Sequence, residues 1–588
     1  MAKTGGDLLV ETLIRWGVDV VFGLPGDGIN GIMEALRTRQ DQIRFIQVRH
    51  EEAAAFAACG YAKMTGRLGC CLATSGPGGL HLLTGLYDAK MDRAPVLAIT
   101  GMPYHDLIDT ETQQDVALDR VFADVAAFNT RVMGPTHIEN AITQACRTAL
   151  ADRAVAHVAV PVNFQSQEME KAHASKRNVA HHVSFASGRN VVVPCAAELD
   201  RAAEWLNRGN RIAILAGQGA LGARAELMAL SERLQAPIAK ALLGKAAFPD
   251  DHPNCTGGVG HLGTEPSQRA LEQCDTLLIV GSGFPYIEYY PKPGQARAIQ
   301  VDIDAARIGL RYPVEVGLVG DAAATIEALL PRLDERRDRA FLTHIQSLKR
   351  AWNEQQDKLA NIQAKPLKPQ TVARALSDRM ADDAIVVTDS GTNTMFAARF
   401  IEMRGERRFA VSGTLASMGC GIPYAVAAAI ANPGRQVVAF VGDGGLSMLM
   451  GDLATCAKYR LLVKIVVVKN NSLGQIKWEQ LFFVGNPEFG CELQPIDFAK
   501  VAEACGLKGL SVEDSGDCGR AVDALLRHDG PALLEATVDP DEPFLSPVPI
   551  KEEVENFEKA LKRGTPHAER IRQLYNERAS PKIAEPVG

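Results

Sequence analysis

The stretch VVAFVGDGGLSMLM, residues 437–450, places the carboxylate of Asp443 between glycines directly after an apolar run. Asp-Gly between apolar segments is also a common hairpin-turn signal. Here, however, apolar residues follow at helical spacing and lead into the β-branched run VKIVVVKNN, residues 463–471. Strand, helix and strand in this order indicate a parallel crossover, with Asp443 and Asn470 at the carboxyl ends of two strands. Their oxygens suit Mg2+, and the glycine turn before a helix suits phosphate.

A second acid, Glu51 in VRHEEAAAF, stands where a strand-like run becomes a helix, among alanines and Phe56. A carboxylate near a helix N-terminus is favourable through the helix macrodipole alone. An acid in apolar surroundings is also suited to proton transfer. Spacing alone leaves both interpretations open.

These residues lie within three blocks of alternating strand-like and helix-like segments, such as GCCLATSGPGG and APVLAITGMP in the first block. The pattern predicts an α/β protein with three consecutive doubly wound parallel-sheet domains. The predicted boundaries are 1–178, 185–335 and 366–550 for the domains, 336–365 for a linker and 551–588 for a charged C-terminal tail.

Composition narrows the classes of function. A chain of 588 residues is too long for one hydrophobic core. The net charge of -7 gives no electrostatic reason to expect nucleic acid or an acidic membrane as partner. No segment approaches the ~20 apolar residues of a membrane span, and the N-terminus lacks the apolar core of a signal peptide. We therefore expect a cytoplasmic enzyme that does not bind nucleic acid.

The middle block contains GQGALG, residues 217–222, which matches the glycine fingerprint of dinucleotide sites. The next strand-like region, APIAKALLGK, ends in no acid that could hold a ribose hydroxyl. The pattern therefore disfavours a nicotinamide site and leaves a nucleotide site of another kind open.

Several motifs in order resemble the thiamine diphosphate (ThDP) enzymes of the pyruvate oxidase and acetolactate synthase family, and most of all their quinone-dependent pyruvate dehydrogenase type. They are RHE at 49–51, SGPGGLHLLTGLYDA at 75–89, GTLASMGCGIP at 413–423, and GDG at 442–444 followed by Asn470. The likeness runs from about residue 5 to residue 545. It implies a pyrimidine-binding first domain, a central FAD- or nucleotide-binding domain and a diphosphate-binding third domain.

The resemblance also implies residue roles. Glu51 would bond the pyrimidine nitrogen of ThDP and favour the tautomer that generates the ylid. Met418 would hold the cofactor bent, and the backbone of Ala416 would receive its amino group. A methionine is ordinarily a core residue, but its place in a matching segment favours the cofactor role. Further expected ThDP contacts are Gly391, Thr392, Ser417, Gly442, Gly444, Gly445, Asn470, Leu473, Gly474 and Gln475, and the Mg2+ ligands are Asp443, Asn470 and the carbonyl of Ser472.

Segments of the middle domain resemble the FAD-contacting segments of flavin-containing members of the family. Strand-end turn chemistry explains their glycines but not the FPY sequence. The expected FAD contacts are Val259, Gly260, His261, Leu262, Ser282, Gly283, Phe284, Pro285, Tyr286, Asp302 and Asp321.

The sequence departs from its relatives at three places. Gln475 stands where pyruvate oxidases carry an aromatic residue. Thr112, Gln113 and Gln114 replace Phe-Gln-Glu, so that Gln113 would bond the substrate carboxylate in a more polar pocket. The tail has only a short apolar stripe, which allows at most peripheral membrane contact.

The leading hypothesis is ThDP-, Mg2+- and FAD-dependent oxidative decarboxylation of a 2-oxo acid, pyruvate or a close relative, through a ThDP ylid and an enamine whose electrons pass to flavin and then to a quinone or another acceptor. The rivals are an acetolactate synthase-like carboligase and a non-oxidative 2-oxo acid decarboxylase, with structural or absent FAD. Retention of Glu51, Asp443 and Asn470 argues against a non-catalytic homologue. Relatives place Glu51 and Asp443 in different subunits, which implies a homodimer or homotetramer with active sites at the interface.

Overall fold

Three six-stranded sheets, each fully parallel where its strands pair, follow one another along the chain. The computed structural model describes residues 2–179, 182–185, 191–543 and 545–578, so residues 579–588 of the predicted tail lie outside the described residues. Apolar strands alternate with helices that cover both faces of each sheet, as the sequence pattern predicts. The α/β fold class is therefore confirmed.

The first domain has the strand order β2-β1-β3-β4-β6-β5. Its strands are β1 (Val20–Gly23), β2 (Arg44–Gln47), β3 (Gly69–Ala73), β4 (Val96–Met102), β5 (Phe128–Arg131) and β6 (Val155–Pro161). Its helices are α1 (Gly5–Arg15), α2 (Asn30–Arg37), α3 (Glu51–Thr65), α4 (Pro77–His81), α5 (Leu83–Met91), α6 (Leu118–Val121), α7 (Ile138–Asp152) and α8 (Val162–Ser166).

The middle domain has the order β12-β11-β10-β7-β8-β9. Its strands are β7 (Ile212–Ala216), β8 (Ile238–Lys240), β9 (Cys255–Gly258), β10 (Thr276–Val280), β11 (Arg297–Asp302) and β12 (Val316–Val319), and its helices are α9 (Ala196–Arg208), α10 (Arg224–Leu234), α11 (Glu265–Gln273) and α12 (Ala322–Leu329). Numbered within the domain, the order reads 3-2-1-4-5-6, which typifies dinucleotide-binding sheets. Helix α13 (Ala340–Ala360) then leads to the third domain.

The third domain has the order β14-β13-β15-β16-β18-β17, the same relative order as the first. Its strands are β13 (Ile385–Thr388), β14 (Arg408–Ala410), β15 (Val437–Gly442), β16 (Val463–Lys469), β17 (Lys508–Val512) and β18 (Ala532–Thr537). Its helices are α14 (Pro369–Arg379), α15 (Thr392–Phe400), α16 (Gly421–Ala431), α17 (Asp443–Met448), α18 (Leu453–Lys458), α19 (Gly474–Glu479), α20 (Phe498–Ala504) and α21 (Ser515–Arg527), followed by α22 (Lys551–Lys562) and α23 (Ala568–Arg578) in the tail.

Helices α3 and α16 join the first and third domains into one hydrophobic core. Both helices are rich in alanine, and a Cβ at Gly60 would lie only 3.0 Å from the ring of Tyr424. Small residues therefore let the two helices approach closely. In the tail, Phe557 of α22 stacks on Phe482 at 4.7 Å. Across the part of the chain that the structure describes, no helix is both long enough and apolar enough to span a bilayer.

Candidate active site

A cavity of about 910 Å3 lies among the loops at the carboxyl ends of the middle and third sheets, with part of the first domain on one wall. Open α/β sheets bind ligands at these strand ends. The predicted site residues that line it are Val259, Gly260, His261, Leu262, Ser282, Gly283, Phe284, Pro285, Tyr286, Asp302, Asp321, Gly391, Thr392, Ala416, Met418, Gly442, Asp443, Gly444, Gly445, Asn470, Ser472, Leu473, Gly474 and Gln475. Glu51, Gln113 and Ser417 do not line it.

Asp443 is held at the start of α17, directly after β15. Its Oδ2 accepts a hydrogen bond from the Asn471 backbone N–H at 2.6 Å, and its Oδ1 accepts one from Gly444 at 3.1 Å. Burial raises the pKa of Asp443 to about 6, against the opposing effect of these N–H groups. A bound cation would stabilise the ionised form of such a buried carboxylate.

The loop after β16 brings further oxygens beside Asp443. Asn470 accepts a hydrogen bond on Oδ1 from the Ser472 N–H at 3.0 Å, and Asn471 takes the left-handed conformation with φ 53°. A Cβ at Gly474 would lie 2.8 Å from Asn470 Nδ2, so a larger residue there would displace the Asn470 side chain. Carboxylate, amide and carbonyl oxygens fit a hard cation such as Mg2+.

The N-terminus of α15 supplies the phosphate-binding part of the cradle. Gly391 precedes Thr392 with φ 135°, a conformation that favours glycine, and both residues line the cavity. The first backbone N–H groups of a helix are unpaired within the helix and attract anions. With the glycine turn of α17 opposite, this arrangement fits a diphosphate.

The segment before α16 carries Ala416 and Met418 into the cavity wall. Ala416 has φ 55°, an uncommon conformation for a residue with a Cβ. Ser417 faces elsewhere: its N–H donates to Ser412 Oγ at 3.0 Å, and its Oγ donates to the Met418 carbonyl at 3.1 Å. The structure thus keeps two of the three residues expected here in the cavity wall.

Asp389 lies beneath this segment at the end of β13, and sequence reasoning missed it. It is buried and accepts hydrogen bonds from the N–H groups of Ser390 at 2.8 Å and Gly419 at 2.9 Å. Burial raises its pKa to about 7 despite these bonds. A Cβ at Gly445 would lie 2.6 Å from Asp389 Oδ2, which ties the glycine turn of α17 to the same acid.

The middle domain contributes the loops at its strand-order reversal. Gly217 follows β7 and Gly281 follows β10, and these neighbouring strands carry the loops into contact: a Cβ at Gly217 would lie 2.4 Å from the Gly281 carbonyl oxygen. Gly260 has φ 86°, and a Cβ at this position would lie 2.7 Å from the Phe284 ring. These glycines leave a cradle for a ligand at the place where such sheets bind dinucleotides.

Two acids border this cradle. Asp302 ends β11 and accepts a hydrogen bond from the Asp304 N–H at 3.0 Å, and burial raises its pKa. Asp321 caps α12 by accepting from the Ala324 N–H at 3.1 Å. His261 lies on the opposite side, where its Nδ1 is 2.7 Å from Ser546 Oγ; burial lowers its pKa to about 3.

Glu51 is the first residue of α3 and lies on a face of the first domain that does not line the cavity. Its Oε2 lies 2.9 Å from Nδ1 of His81, a residue that is 45% exposed, and the His50 and His81 rings stack at 4.4 Å. A Cβ at Gly78 would lie 3.1 Å from Glu51 Oε1, so the loop after β3 closes over the carboxylate.

Gln113 is exposed in a neighbouring loop of the same face. The next residue, Gln114, accepts a hydrogen bond from Ser75 Oγ at 2.6 Å and packs on Gly76. Because Ser75 and Gly76 belong to the loop that closes over Glu51, the structure groups Gln113 with Glu51 rather than with Asp443.

Comparison with known proteins identifies the family of the three domains. Three family descriptions match in chain order: thiamine pyrophosphate enzyme, N-terminal TPP binding domain, at residues 3–121; central domain at 199–329; and C-terminal TPP binding domain at 389–536. YdaP of Bacillus subtilis, whose name describes a thiamine pyrophosphate-containing protein, is 39% identical over 542 residues, covering 92% of this chain and 93% of its own.

Two further relatives carry different names. The pyruvate oxidase of Lactiplantibacillus plantarum is 34% identical over 548 residues, covering 92% of this chain and 89% of its own. A Methanocaldococcus jannaschii protein named after the acetolactate synthase large subunit is 31% identical over 557 residues, covering 92% of each chain. The chain belongs to the thiamine pyrophosphate enzymes of the pyruvate oxidase and acetolactate synthase family.

This thiamine pyrophosphate (ThDP) enzyme has cavity residues that sequence reasoning missed. Arg93, Arg153 and Arg307 line the cavity near Asp302, and Arg93 forms an ion pair with Asp304. Glu479 also lines it and accepts a hydrogen bond from Gln475 Nε2 at 2.8 Å. The arginines stand in no local motif, and only the fold brings them together.

Proposed function

We propose that this ThDP enzyme is an Mg2+- and FAD-dependent oxidase that decarboxylates a 2-oxo acid, pyruvate or a close relative. One observation carries the proposal: the dinucleotide-type cradle of the middle domain and the oxygen- and glycine-lined cradle of the third domain open into one cavity. At about 910 Å3, this cavity is near the upper end of small-molecule sites. A flavin bound in one cradle would therefore lie beside a cofactor bound in the other.

When bound, ThDP supplies the electron sink for loss of CO2, and FAD supplies a two-electron acceptor. Asp443, Asn470 and the Ser472 carbonyl would hold Mg2+, while the N-terminus of α15 and the glycine turn of α17 would hold the diphosphate. Backbone N–H groups hold the Asp443 and Asn470 side chains, so little rearrangement of these two ligands is needed on binding.

Three residues would act on the pyrimidine half of ThDP. The Ala416 backbone would accept its amino group, and Met418 would support it from below. Glu51 would hold a proton at the ring nitrogen, a role suited to a carboxyl that is sheltered by Gly78 and paired with His81. Gln113, exposed on the same face, is a candidate to bond the substrate carboxylate.

We further propose that each active site forms between two copies of the chain, in a homodimer or homotetramer. The support is that Glu51 and Gln113 lie outside the cavity that gathers the diphosphate and metal residues. In such an assembly, Glu51 of one copy would complete the cradle of the other. Isologous contacts of this kind produce two equivalent sites.

A carboligase of the acetolactate synthase type is the second candidate. Gln475 favours it, because this residue lies in the cavity wall with a polar side chain bonded to Glu479 rather than an aromatic ring. A polar wall between the two cradles would suit a second carbonyl substrate. In that case FAD would serve the structure only or would be absent.

An anaerobic titration with pyruvate separates these functions. Protein reconstituted with ThDP, Mg2+ and FAD is followed by flavin absorbance while the products are analysed. An oxidase bleaches its flavin as CO2 is released, and Glu51→Gln should leave the flavin oxidised. A flavin that stays oxidised while a hydroxyketone accumulates would assign the carboligase, and decarboxylation with neither change would assign the simple decarboxylase.

A further inference from the structure

Asp92 is a buried acid at which all three domains meet. It follows α5 in the first domain, and its Oδ2 accepts a hydrogen bond from Lys63 Nζ at 2.7 Å. Its Oδ2 and Oδ1 also accept from the backbone N–H groups of Gly413 and Thr414 in the third domain, both at 2.9 Å. Its carbonyl accepts from Gln218 Nε2 of the middle domain at 3.0 Å.

Lys63 is the cation at the centre of this junction. Its ammonium donates to Asp92, to the Val411 carbonyl at 2.9 Å and to the hydroxyl of Tyr424 in α16, which uses all three of its donors. The side chains of Lys63 and Asp92 are 7% and 0% exposed. Burial alone would lower the pKa of Lys63, but Asp88 and Asp92 outweigh it and raise that pKa.

A buried ion pair is an expensive way to pack two domains, since apolar side chains of similar volume often give equal or greater stability. The adjacent contact between α3 and α16 already packs the same domains with alanines. The Lys63–Asp92 pair instead fixes hydrogen-bond positions on one particular backbone segment. The ion pair therefore serves to position this backbone segment rather than to add packing energy.

That segment, residues 411–419, leads directly to Ala416 and Met418. It is held at both ends, by Asp92 at Gly413 and Thr414 and by Asp389 at Gly419. Between the anchors, Ala416 keeps φ 55°, a conformation that persists only where the surroundings enforce it. Releasing one anchor would let the strained turn relax.

We propose that Asp92, held by Lys63, is a positioning residue that fixes segment 411–419 so that Ala416 and Met418 stand ready for the pyrimidine half of ThDP. The proposal rests on the roles given to Ala416 and Met418 under the proposed function. It predicts a selective effect. Beyond the backbone bond to its own helix α5, Asp92 hydrogen-bonds, among the described residues, Lys63, Gly413, Thr414 and Gln218, and none of these belongs to the loops that would hold Mg2+ and the diphosphate.

The test is calorimetric titration of full-length protein stripped of cofactor, with either ThDP or inorganic pyrophosphate in the presence of Mg2+. Asp92→Asn replaces one acceptor oxygen with an amide that cannot accept from a backbone N–H. We expect its Kd for ThDP to rise about tenfold or more and its Kd for pyrophosphate to stay at the wild-type value. Lys63→Arg, which keeps the charge, should retain most of the ThDP affinity.

The chain offers a matched control in a second buried Lys–Asp pair, which lies within the middle domain and whose acid also hydrogen-bonds the third domain. Lys240 Nζ lies 2.7 Å from Asp250 Oδ1, and Asp250 accepts from the Met403 N–H of the third domain at 2.8 Å. Asp250→Asn should lower the thermal midpoint and leave both Kd values unchanged. If Asp92→Asn fails to fold, Asp92→Glu takes its place, because it keeps the negative charge beside Lys63 while moving the carboxylate relative to the Gly413 and Thr414 N–H groups.

Wild-type ThDP affinity in Asp92→Asn would overturn the proposal, and so would an equal loss of ThDP and pyrophosphate binding, which marks a general structural defect. Both measurements are independent of turnover. A wild-type protein that binds ThDP normally but does not oxidise pyruvate therefore defeats the proposed oxidase reaction and leaves this result standing. Wild-type ThDP binding no tighter than that of pyrophosphate would instead remove the role of Ala416 and Met418, and the proposal with it.

Discussion

The first and third domains share one strand order, 2-1-3-4-6-5, but the loops at their strand ends differ. In the third domain, the ends of β13, β15 and β16 converge on a cradle of oxygens and glycines. In the first, the end of β2 leads to Glu51 and the end of β3 leads to the loop that covers it. One scaffold thus supports two different sets of strand-end loops, to which the proposed function assigns the two halves of a reaction.

The strand-end sites of the first and third domains also differ in how far the chain encloses them. The third domain closes its cradle with the middle domain of the same chain. The Glu51 face ends in the partly exposed His81 and the exposed Gln113. A preformed cradle on one side and a face that ends in exposed side chains on the other fit the active site that we propose between two copies.

Removing Asp443 should have the largest effect. Asp443→Ala takes away the one carboxylate of the proposed metal site, so we expect loss of Mg2+-dependent ThDP binding and of activity, with the fold kept. Calorimetric titration with ThDP measures the loss. Asp452→Ala is the matched control, because Asp452 is also buried in the third domain but does not line the cavity. ThDP binding by Asp443→Ala at wild-type affinity would contradict the metal assignment.

Glu51→Gln tests the other half. It should keep ThDP binding but lower turnover by about 10²–10⁴-fold, because the amide cannot hold the proton at the ring nitrogen. Glu52→Gln, one residue further along α3, should leave turnover near the wild-type value. Normal turnover in Glu51→Gln would remove Glu51 from the proposed chemistry.

Mixing the two inactive variants tests whether the halves come from different copies. If they do, dissociating and reassociating Glu51→Gln with Asp443→Ala in equal amounts should restore about a quarter of the wild-type activity, since half of random dimers carry one intact site of two. Sites built within a single chain would give no recovery.

The sequence was most informative where the two halves contain local motifs. The change from a continuous apolar run to helical apolar spacing at GDG predicted a strand followed by a helix, and β15 ends at Gly442 with α17 beginning at Asp443. Similarly, the alanine-rich run after Glu51 predicted a helix, which is α3. The spacing of apolar residues within a single helix or strand locates the ends of that element, so the local sequence is enough to predict such boundaries.

Residues whose roles depend on distant neighbours escaped prediction. Asp389 follows a strand as many unremarkable acids do, and its raised pKa arises from burial against glycines about 30 residues or more away. Ser417 lies within a matching motif, yet its side chain bonds the backbone of its own segment instead of lining the cavity. Side-chain direction and burial are set by tertiary packing, which one sequence does not display.

The pH dependence of stability should also distinguish the first and third domains. Asp389 follows β13, the first strand of the third domain, whereas the apolar Leu24 follows β1 of the first domain. The pKa of Asp389 is about 7 in the folded protein against 3.8 ordinarily, so the folded state binds the extra proton between these values. Stability of the cofactor-free wild type should therefore fall as pH rises through this window. Asp389→Asn removes the titration. The thermal midpoint of this variant minus that of the wild type should therefore rise by about 2 °C or more from pH 5 to pH 8. A constant difference would exclude this titration.

Gln475→Phe should have the smallest effect, because it alters the cavity wall without changing the proposed metal ligands or Glu51. We expect the ratio of flavin reduction to hydroxyketone formation to rise a few-fold, measured by stopped-flow absorbance and product analysis. Gln475→Leu, which is apolar but not aromatic, is the control. An unchanged ratio would exclude this position as a determinant of the reaction.

The junction at Asp92 has a consequence for biogenesis. Its partners Lys63 and Gly413 are separated by hundreds of residues, and Asp92 itself meets Gly413 across a separation of 321 residues. Contacts of such long range form late in folding, and domains generally fold in order as the chain is synthesised. The segment that carries Ala416 and Met418 can therefore be locked only after the third domain has been made and docked on the first. A nascent or truncated chain would lack this lock, so under the proposed role of Asp92 the pyrimidine half of ThDP binds only after the first and third domains have docked.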